Sequence, residues 1–259
     1  MAQGHMERRA NVLGVGVSAI DMKQALTLAD LALQNGSKGY VCVTGVHGVM
    51  EAQQDPEFKD ILNRSLLTTP DGMPTVWVGR LEGFSEMGRV FGPDFMLQMC
   101  ALSVKRCYKH FLYGGMPGVA EQLKRNLLGL FPGLQVVGTY TPPFRPLNPE
   151  EQETLLDHVH RVQPDIIWVG LSTPKQERFM AEFLPRLDTK LMVGVGAAFD
   201  VHTGRIKDAP EWMKQTGLQW LHRLVQEPGR LWKRYLINNP RFLWNIMVQL
   251  LGARRFDLP

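Results

Sequence analysis

Residues Pro164 to Glu177 read PDIIWVGLSTPKQE, and this stretch decides the class of fold. Its first half is a short, nearly continuous apolar run, which is typical of a strand buried on both faces. Its second half predicts a helix start, with Thr173 as N-cap, Pro174 in the first turn and Gln176 completing a Thr-x-x-Gln capping box. A buried strand followed directly by a helix is the repeating element of α/β proteins.

The same alternation of strand and helix runs through most of the chain. Seven apolar runs have the length of strands: NVLGVGVS, GYVCVTGV, SLLTTP, KHFLYGG, LQVVGTY, DIIWVGLS and KLMVGVGAAF. Five helices are predicted to begin at or just before a proline: Pro93, Pro117, Pro149, Pro174 and Pro210. We therefore predict an α/β fold, Rossmann-like, with a mainly parallel sheet flanked by helices, over residues 11–204. This body is either one piece or two sub-lobes that meet at an active-site cleft.

The alternation stops near Gly204, and residues 205–259 predict a helical C-terminal appendage with breaks around Gly217, Pro228 and Pro240. Its last part carries an apolar stripe: Phe242, Leu243, Ile246, Met247, Leu250 and Leu251. The stripe is shorter than the roughly 20 residues that span a bilayer. It either lies on a membrane surface or packs against the body or another subunit.

The net charge of +4 is concentrated in this tail, because the residues from Leu221 onward include seven Lys or Arg and only two Asp or Glu. Such a tail predicts an anionic partner, whether phosphate, nucleic acid or acidic lipid. The start, MAQGHMERRA, lacks the apolar core of a signal peptide, and the three cysteines have no metal-ligand spacing. We therefore expect a cytoplasmic protein.

Three loops carry candidate binding residues. Gly114 and Gly115 follow a strand, so they serve either a close approach to an anion or a tight turn with positive φ. Lys175 lies in the first turn of a helix, where a positive charge is unfavourable unless an anion is near. Asp71, within TTPDGMPTVW, either caps the next helix or acts on a ligand.

Dinucleotide and metal chemistry are poorly supported. The GVGAAF stretch places Phe199 where a dinucleotide-binding loop needs a small residue, and no acidic residue lies between Leu31 and Met50. His158 and His160 are two residues apart and so lie on different helix faces. We expect neither a cofactor nor a metal, and a nucleotide-binding oxidoreductase remains only an alternative.

Together, seven ordered motifs resemble those of the WecG/TagA/CpsF glycosyltransferases. They are DPEF at Asp55, PDGMP at Pro70, GPD at Gly92, YGGMPG at Tyr113, PDIIWVGLSTPKQE at Pro164, GAAFD at Gly196 and GLQWLHRLVQEPGRLWKRY at Gly217. The resemblance implies an inverting, metal-independent enzyme that moves a sugar from a UDP-sugar to a polyprenyl-diphosphate-linked saccharide. Such enzymes work at the cytoplasmic membrane face in the biosynthesis of teichoic acid, common antigen, capsule or exopolysaccharide.

The resemblance also implies roles for individual residues. Asp71 matches the family's proposed general base, and Thr44 lines the same pocket. The remaining matches are Gln176 and Asp200 on the donor side, and Arg223, Arg230 and Arg234 for the lipid diphosphate.

The chain departs from the family's pattern at two places. Val46 stands where Asn is usual. The neighbouring His47 either contacts the acceptor in place of that Asn or only packs against other residues. Asp208 stands where Arg is usual, which weakens any anion site there.

The expected partners are thus a UDP-sugar, a polyprenyl-diphosphate-linked acceptor and the inner membrane face, to which the chain binds peripherally. Nucleic acid is not expected, and a homo-oligomer is left open. Besides the oxidoreductase, the remaining alternative is a non-catalytic protein whose basic tail binds a membrane or nucleic acid.

Overall fold

A computed structural model describes residues 8–258. Residues 1–7, which make up most of the N-terminal MAQGHMERRA stretch, lie outside the described residues. Within residues 8–258 the strands are β1 (Arg9–Val12), β2 (Val15–Ser18), β3 (Gly39–Thr44), β4 (Leu67–Pro70), β5 (Lys109–Gly114), β6 (Gln135–Tyr140), β7 (Ile166–Gly170) and β8 (Leu191–Gly194).

The helices of the same range fall into two groups: nine that lie between or directly after the strands, and three at the C-terminus. The first group is α1 (Met22–Gln34), α2 (Val46–Ala52), α3 (Pro56–Asn63), α4 (Met73–Leu81), α5 (Gly92–Arg106), α6 (Val119–Leu130), α7 (Pro149–Val162), α8 (Lys175–Phe183) and α9 (Ala198–His202). The C-terminal group is α10 (Glu211–Gln215), α11 (Gln219–Gln226) and α12 (Pro228–Leu250).

The chain forms two compact units. The first contains the residues up to Ala25, Thr44–Phe91 and the residues from Ala209 onward, and the second contains Leu26–Val43 and Gly92–Asp208. From Ala209 the predicted appendage is therefore part of the unit that holds Asp71. A domain boundary at residue 204 and a cleft between two sub-lobes stay predictions.

The second unit is built on parallel strands in the order β3-β8-β7-β5-β6. Its central strand β7 is buried from Ile166 to Val169, because helices cover both faces of a parallel sheet. Helix α6 packs against β5 and β6, and α8 packs against β7 and β8. The prediction of a Rossmann-like, mainly parallel sheet flanked by helices is confirmed.

In the first unit, the predicted strand NVLGVGVS proves to be a hairpin, so that expectation was wrong. Strands β1 and β2 pair antiparallel, with Val12 opposite Val15. The two residues between them, Leu13 and Gly14, have φ angles of 57° and 77°. Two left-handed residues form the tight turn whose twist matches a hairpin, which an apolar run does not reveal when one of them is leucine.

The C-terminal helices agree with the predicted breaks at Gly217 and Pro228, but the predicted break at Pro240 was wrong. Helix α12 continues through Pro240. The proline removes one hydrogen bond, and the helix is held on both sides of it by the buried side chains of Leu231 and Phe242. Tertiary packing outweighs the local preference here.

The apolar stripe of α12 divides into two faces. Phe242 and Ile246 are buried, whereas Leu243, at 65% exposure, and Leu251, at 75%, face solvent. Gln249 ties the end of the helix to the hairpin, because its side chain accepts from the Leu13 N–H at 2.9 Å and donates to the Asn11 carbonyl at 2.7 Å. Nowhere in residues 8–258 is a helix both long and apolar enough to cross a membrane.

Candidate active site

Asp71 lies in the first unit, directly after β4, and it does not cap the following helix. Gly72 is the N-cap residue of α4, with a φ angle of 118°. Its carbonyl accepts a hydrogen bond from the Thr75 hydroxyl at 2.9 Å. The N-cap position is therefore occupied by Gly72 and not by Asp71, so the capping alternative for Asp71 was wrong.

Thr44, the last residue of β3, lies beside Asp71. The Asp71 N–H donates to the Thr44 carbonyl at 3.0 Å, and Thr44 itself is buried. The next residue, Gly45, comes so close that an added Cβ would lie 2.4 Å from the Asp71 carbonyl oxygen. Only glycine fits there without moving the loop, so Gly45 sets the position of Asp71. Sequence reasoning missed Gly45, whose one signal was a glycine directly after a buried strand.

Arg89 was also missed, although it lies close to Asp71. Its Nη2 lies 3.9 Å from Asp71 Oδ1, and its side chain is only 12% exposed. The guanidinium lies 4.3 Å above the Phe91 ring and donates to the Gln219 side chain of α11. The available signal was an arginine just before the GPD motif, but chain spacing does not place it against a residue 18 positions earlier.

The arginines of the appendage form a cluster, and one of its members, Arg234, is partly buried with a fully buried Nε atom. Burial is the main cause that lowers the pKa of Arg234, and the charges of Arg223 and Arg230 lower this pKa further, whereas Tyr235 and Asp71 raise it. Asp71 and the three predicted diphosphate-binding arginines are thus electrostatic neighbours within one unit.

Arg89 and two arginines of the appendage each have a buried N–H group that donates to no described residue. Among the described residues, the buried Nε atoms of Arg89, Arg223 and Arg234 have no hydrogen-bond partner. Buried donors are normally paired, so unpaired ones at several neighbouring guanidinium groups require an explanation. Guanidinium groups bind phosphate through several hydrogen bonds at once, which makes the cluster chemically suited to a phosphate-containing ligand.

His47 has a structural partner. Its Nδ1 lies 3.2 Å from the Asn238 amide nitrogen of α12 and 3.5 Å from the Glu51 carboxylate. It therefore joins α2 to α12, as the packing alternative expected. A contact of His47 with the acceptor stays a prediction.

In the second unit, Gln176 is buried and both ends of its amide are engaged. Its Oε1 accepts from the Gly196 N–H at 3.0 Å, and its Nε2 donates to Glu177 Oε1 at 3.0 Å. The Thr173 hydroxyl donates to the same Glu177 oxygen at 2.9 Å. The capping box predicted for Thr173 and Gln176 was wrong, because Pro174 is the N-cap of α8 and both side chains are turned to Glu177.

The glycine pair has a packing explanation. A Cβ added to Gly114 would lie 2.6 Å from the Gly170 carbonyl oxygen, and both Gly114 and Gly115 have positive φ angles. This favours the tight turn, while an anion at the loop stays a prediction.

The other donor-side residues stay predictions. Lys175 is exposed at the start of α8, and Asp200 Oδ1 lies 3.4 Å from Arg205 Nε. Asp208 is exposed and raises the pKa of His202, against the larger effect of burial, which lowers it.

Two observations concern the dinucleotide and metal alternatives, and the expectation of neither a cofactor nor a metal stays a prediction. Phe199 is fully buried, and its ring lies so close to Gly170 that an added Cβ would meet it at 2.7 Å. The part of the chain that the structure describes contains no group of three His, Cys, Asp or Glu side chains placed to hold a metal ion.

The parallel α/β sheet of the second unit is typical of enzymes that bind nucleotides, and the first unit's carboxylate with arginine neighbours is typical of group-transfer enzymes. The family model of the WecG/TagA/CpsF glycosyl transferases matches residues 10–256. The chain belongs to this family, and this assignment favours the glycosyltransferase prediction over the oxidoreductase and binding-protein alternatives.

Two relatives share the name N-acetylglucosaminyldiphosphoundecaprenol N-acetyl-beta-D-mannosaminyltransferase. The protein from Bacillus subtilis (strain 168) is 26% identical over 205 residues, which cover 79% of this chain and 77% of that protein. The protein from Bacillus spizizenii (strain ATCC 23059 / NRRL B-14472 / W23) is 27% identical over 212 residues, which cover 82% of this chain and 80% of that protein.

Proposed function

We propose that this protein is an inverting glycosyltransferase that moves a sugar from a UDP-sugar to a polyprenyl-diphosphate-linked saccharide. The observation that carries the proposal is that the buried Nε donors of Arg89, Arg223 and Arg234 lack partners among the described residues. A diphosphate supplies the oxygens that such donors need. The names of the relatives make N-acetylmannosamine the first sugar to test and an N-acetylglucosaminyl diphosphate lipid the first acceptor.

Asp71 is the general base of this proposal. Its carboxylate takes the proton of an acceptor hydroxyl, and the hydroxyl oxygen forms a bond to the anomeric carbon of the donor. The bond between that carbon and the UDP oxygen breaks, and its electron pair leaves with UDP. Attack opposite to the leaving group inverts the configuration of the sugar.

The arginines supply the positive charge that the reaction needs. Arg223, Arg230 and Arg234 bind the diphosphate of the lipid, and Arg89 orients Asp71 from its position 3.9 Å away. Since guanidinium groups neutralise phosphate without a cation, turnover is expected to need no divalent metal. On the donor side, Gly114 is the last residue of β5 and Gln176 lies in the first turn of α8, the helix that follows β7, and α/β sheets bind nucleotides at the carboxyl ends of their parallel strands.

The appendage brings the enzyme to its lipid substrate. Its helix α12 exposes Leu243 and Trp244, and Leu251 is exposed directly after it. Lys233 and Arg241 add positive charge on the same helix. Apolar side chains combined with basic ones attach a helix to the surface of an anionic bilayer. The protein thus acts as a peripheral protein at the cytoplasmic membrane face, in the synthesis of a cell-surface polysaccharide.

The test is UDP release by the full chain with a panel of UDP-sugars and an N-acetylglucosaminyl diphosphate lipid, in the presence of EDTA. Asp71→Asn is expected to lower kcat about 10²- to 10⁴-fold, because it removes the proton acceptor and keeps the shape. The matched control is Asp60→Asn, which removes an exposed carboxylate that pairs with Arg64 on α3.

Full turnover by Asp71→Asn would exclude this residue as the base. Release of UDP only after addition of a divalent cation would contradict the role given to the arginines. Circular dichroism and melting temperature establish that each variant is folded.

A further inference from the structure

Glu227 lies at the junction of the last two helices and holds one arginine from each of them. Its Oε2 lies 2.6 Å from Arg230 Nη2 of α12 and 3.7 Å from Arg223 Nη2 of α11. It is also the C-cap residue of α11 and the N-cap residue of α12, with φ −132° and ψ 57°. One carboxylate oxygen thus joins two guanidinium groups across the junction.

These two arginines are also the ones assigned above to the lipid diphosphate, so the following inference rests on that proposed function. Carboxylate and phosphate oxygens are alternative partners for a guanidinium group. Glu227 neutralises the cluster only in part, because Arg234 adds a third positive charge beside the pair. The Nε atoms of Arg223 and Arg234 have no hydrogen-bond partner in the described part of the chain.

We propose that Glu227 is an internal competitor that the lipid diphosphate displaces, and that it makes this site selective for diphosphate over singly charged anions. The carboxylate occupies the arginines in the free protein. The diphosphate takes its place when the acceptor binds.

The charges explain the direction of this exchange. A partly exposed ion pair is weak, so a ligand with several negative charges can replace it, and the same charges repel the Glu227 carboxylate. A singly charged anion gains only one such interaction and does not displace a carboxylate that the chain already holds near the arginines. Selectivity for diphosphate therefore has two sources: Glu227 excludes singly charged anions, and the arginines attract the diphosphate.

The probe is inorganic pyrophosphate, titrated calorimetrically into the full chain at low ionic strength. Glu227→Gln keeps the size of the side chain and removes its charge, and we expect its Kd for pyrophosphate to fall about three- to tenfold. We also expect acetate, a singly charged anion, to compete with pyrophosphate more strongly in this variant than in the wild type. Glu153→Gln, an exposed glutamate of α7, makes the same charge change elsewhere and should leave the Kd unchanged.

An unchanged or higher Kd for Glu227→Gln would overturn the proposal, since a carboxylate that merely positions the arginines weakens binding when it is removed. Glu227→Asp provides a second test, because it keeps the negative charge on a shorter side chain. We expect the Kd of this variant for pyrophosphate to lie between those of the wild type and Glu227→Gln. A Kd for Glu227→Asp at or above that of the wild type would also contradict competition.

The UDP-release assay separates this inference from the proposed function. If wild type binds pyrophosphate but releases no UDP with any donor, the proposed reaction fails, while the comparison of Kd values still decides the role of Glu227. If the reaction proceeds, Glu227→Gln is expected to lower the KM for the lipid acceptor by the same factor without lowering kcat. A lower kcat with an unchanged KM would contradict competition.

Discussion

Acidification is expected to destabilise the protein through one buried side chain, His110 on β5. Its Nδ1 accepts a hydrogen bond from the Trp168 indole N–H at 2.7 Å, and the two rings are stacked. Within the described residues its buried Nε2 has no hydrogen-bond partner. Burial lowers the pKa of His110 from 6.5 to about 4, and the charge of Asp165 opposes this shift only in part.

The sign of the effect follows from proton binding. In the unfolded chain this histidine takes up a proton as the pH falls through about 6.5, whereas in the folded protein it does so only near pH 4. Stability due to neutral His110 is therefore complete above pH 6.5 and is lost between pH 6.5 and 4. From the two pKa values, the loss amounts to about 1 kcal/mol at pH 5.5 and to about 2–3 kcal/mol at pH 4.5.

The measurement is urea unfolding at pH 7.0, 5.5 and 4.5, followed by tryptophan fluorescence and circular dichroism. His110→Asn provides the comparison, because its amide oxygen can accept from Trp168 and does not titrate in this range. All other titrating groups are common to both proteins, so the difference in their pH dependence reports His110. If wild type and His110→Asn lose the same stability between pH 7.0 and 4.5, His110 is not held neutral by burial.

Two further substitutions test how the active-site loops are positioned. Gly45→Ala is expected to cost about 1–3 kcal/mol and to lower UDP release, because its Cβ would lie 2.4 Å from the Asp71 carbonyl oxygen, and wild-type turnover would contradict this. Its control is Gly129→Ala in α6, where an added Cβ meets no described atom within 4 Å. Glu177→Ala is expected to raise the KM for the UDP-sugar and to lower stability by about 1–3 kcal/mol, because it leaves the buried Gln176 amide and Thr173 hydroxyl without their acceptor. Glu177→Gln retains an acceptor oxygen and should largely restore the KM, so equal KM values for the two variants would show that the oxygen does not position Gln176.

The helix starts show where local sequence signals are reliable and where they are not. Asn148, Pro149 and Glu151 form a complete capping box at α7, with both hydrogen bonds at 2.8 Å. The similar signal at Thr173 forms no such box, because its hydroxyl donates to the buried Glu177 carboxylate instead. Local capping rules hold where the helix start is exposed and no buried group competes for the same side chain.

The candidate site could be predicted only in part. The motifs identified Asp71, Thr44 and the three appendage arginines, and the structure shows Asp71 next to Thr44 and in the electrostatic surroundings of Arg234. Arg89 required the tertiary structure, because its one local signal, a position just before the GPD motif, does not place it beside Asp71. The role of Glu227 was equally hidden, since its neighbours Arg223 and Arg230 are also at ordinary helix spacing.

The sequence by itself determined most of the elements and the class of this protein. Runs of apolar residues that alternate with helical segments commit the chain to a covered parallel sheet, because only that arrangement buries strands without polar faces. The ordered motifs likewise determined the family. Tertiary structure alone decided which charges meet: Arg89 reaches Asp71, and Glu227 holds two arginines that the motifs assigned to a ligand. The physical reason is that the energy of a charge depends on burial and on neighbours a few ångströms away, and side chains that are distant in the chain become such neighbours only when it folds.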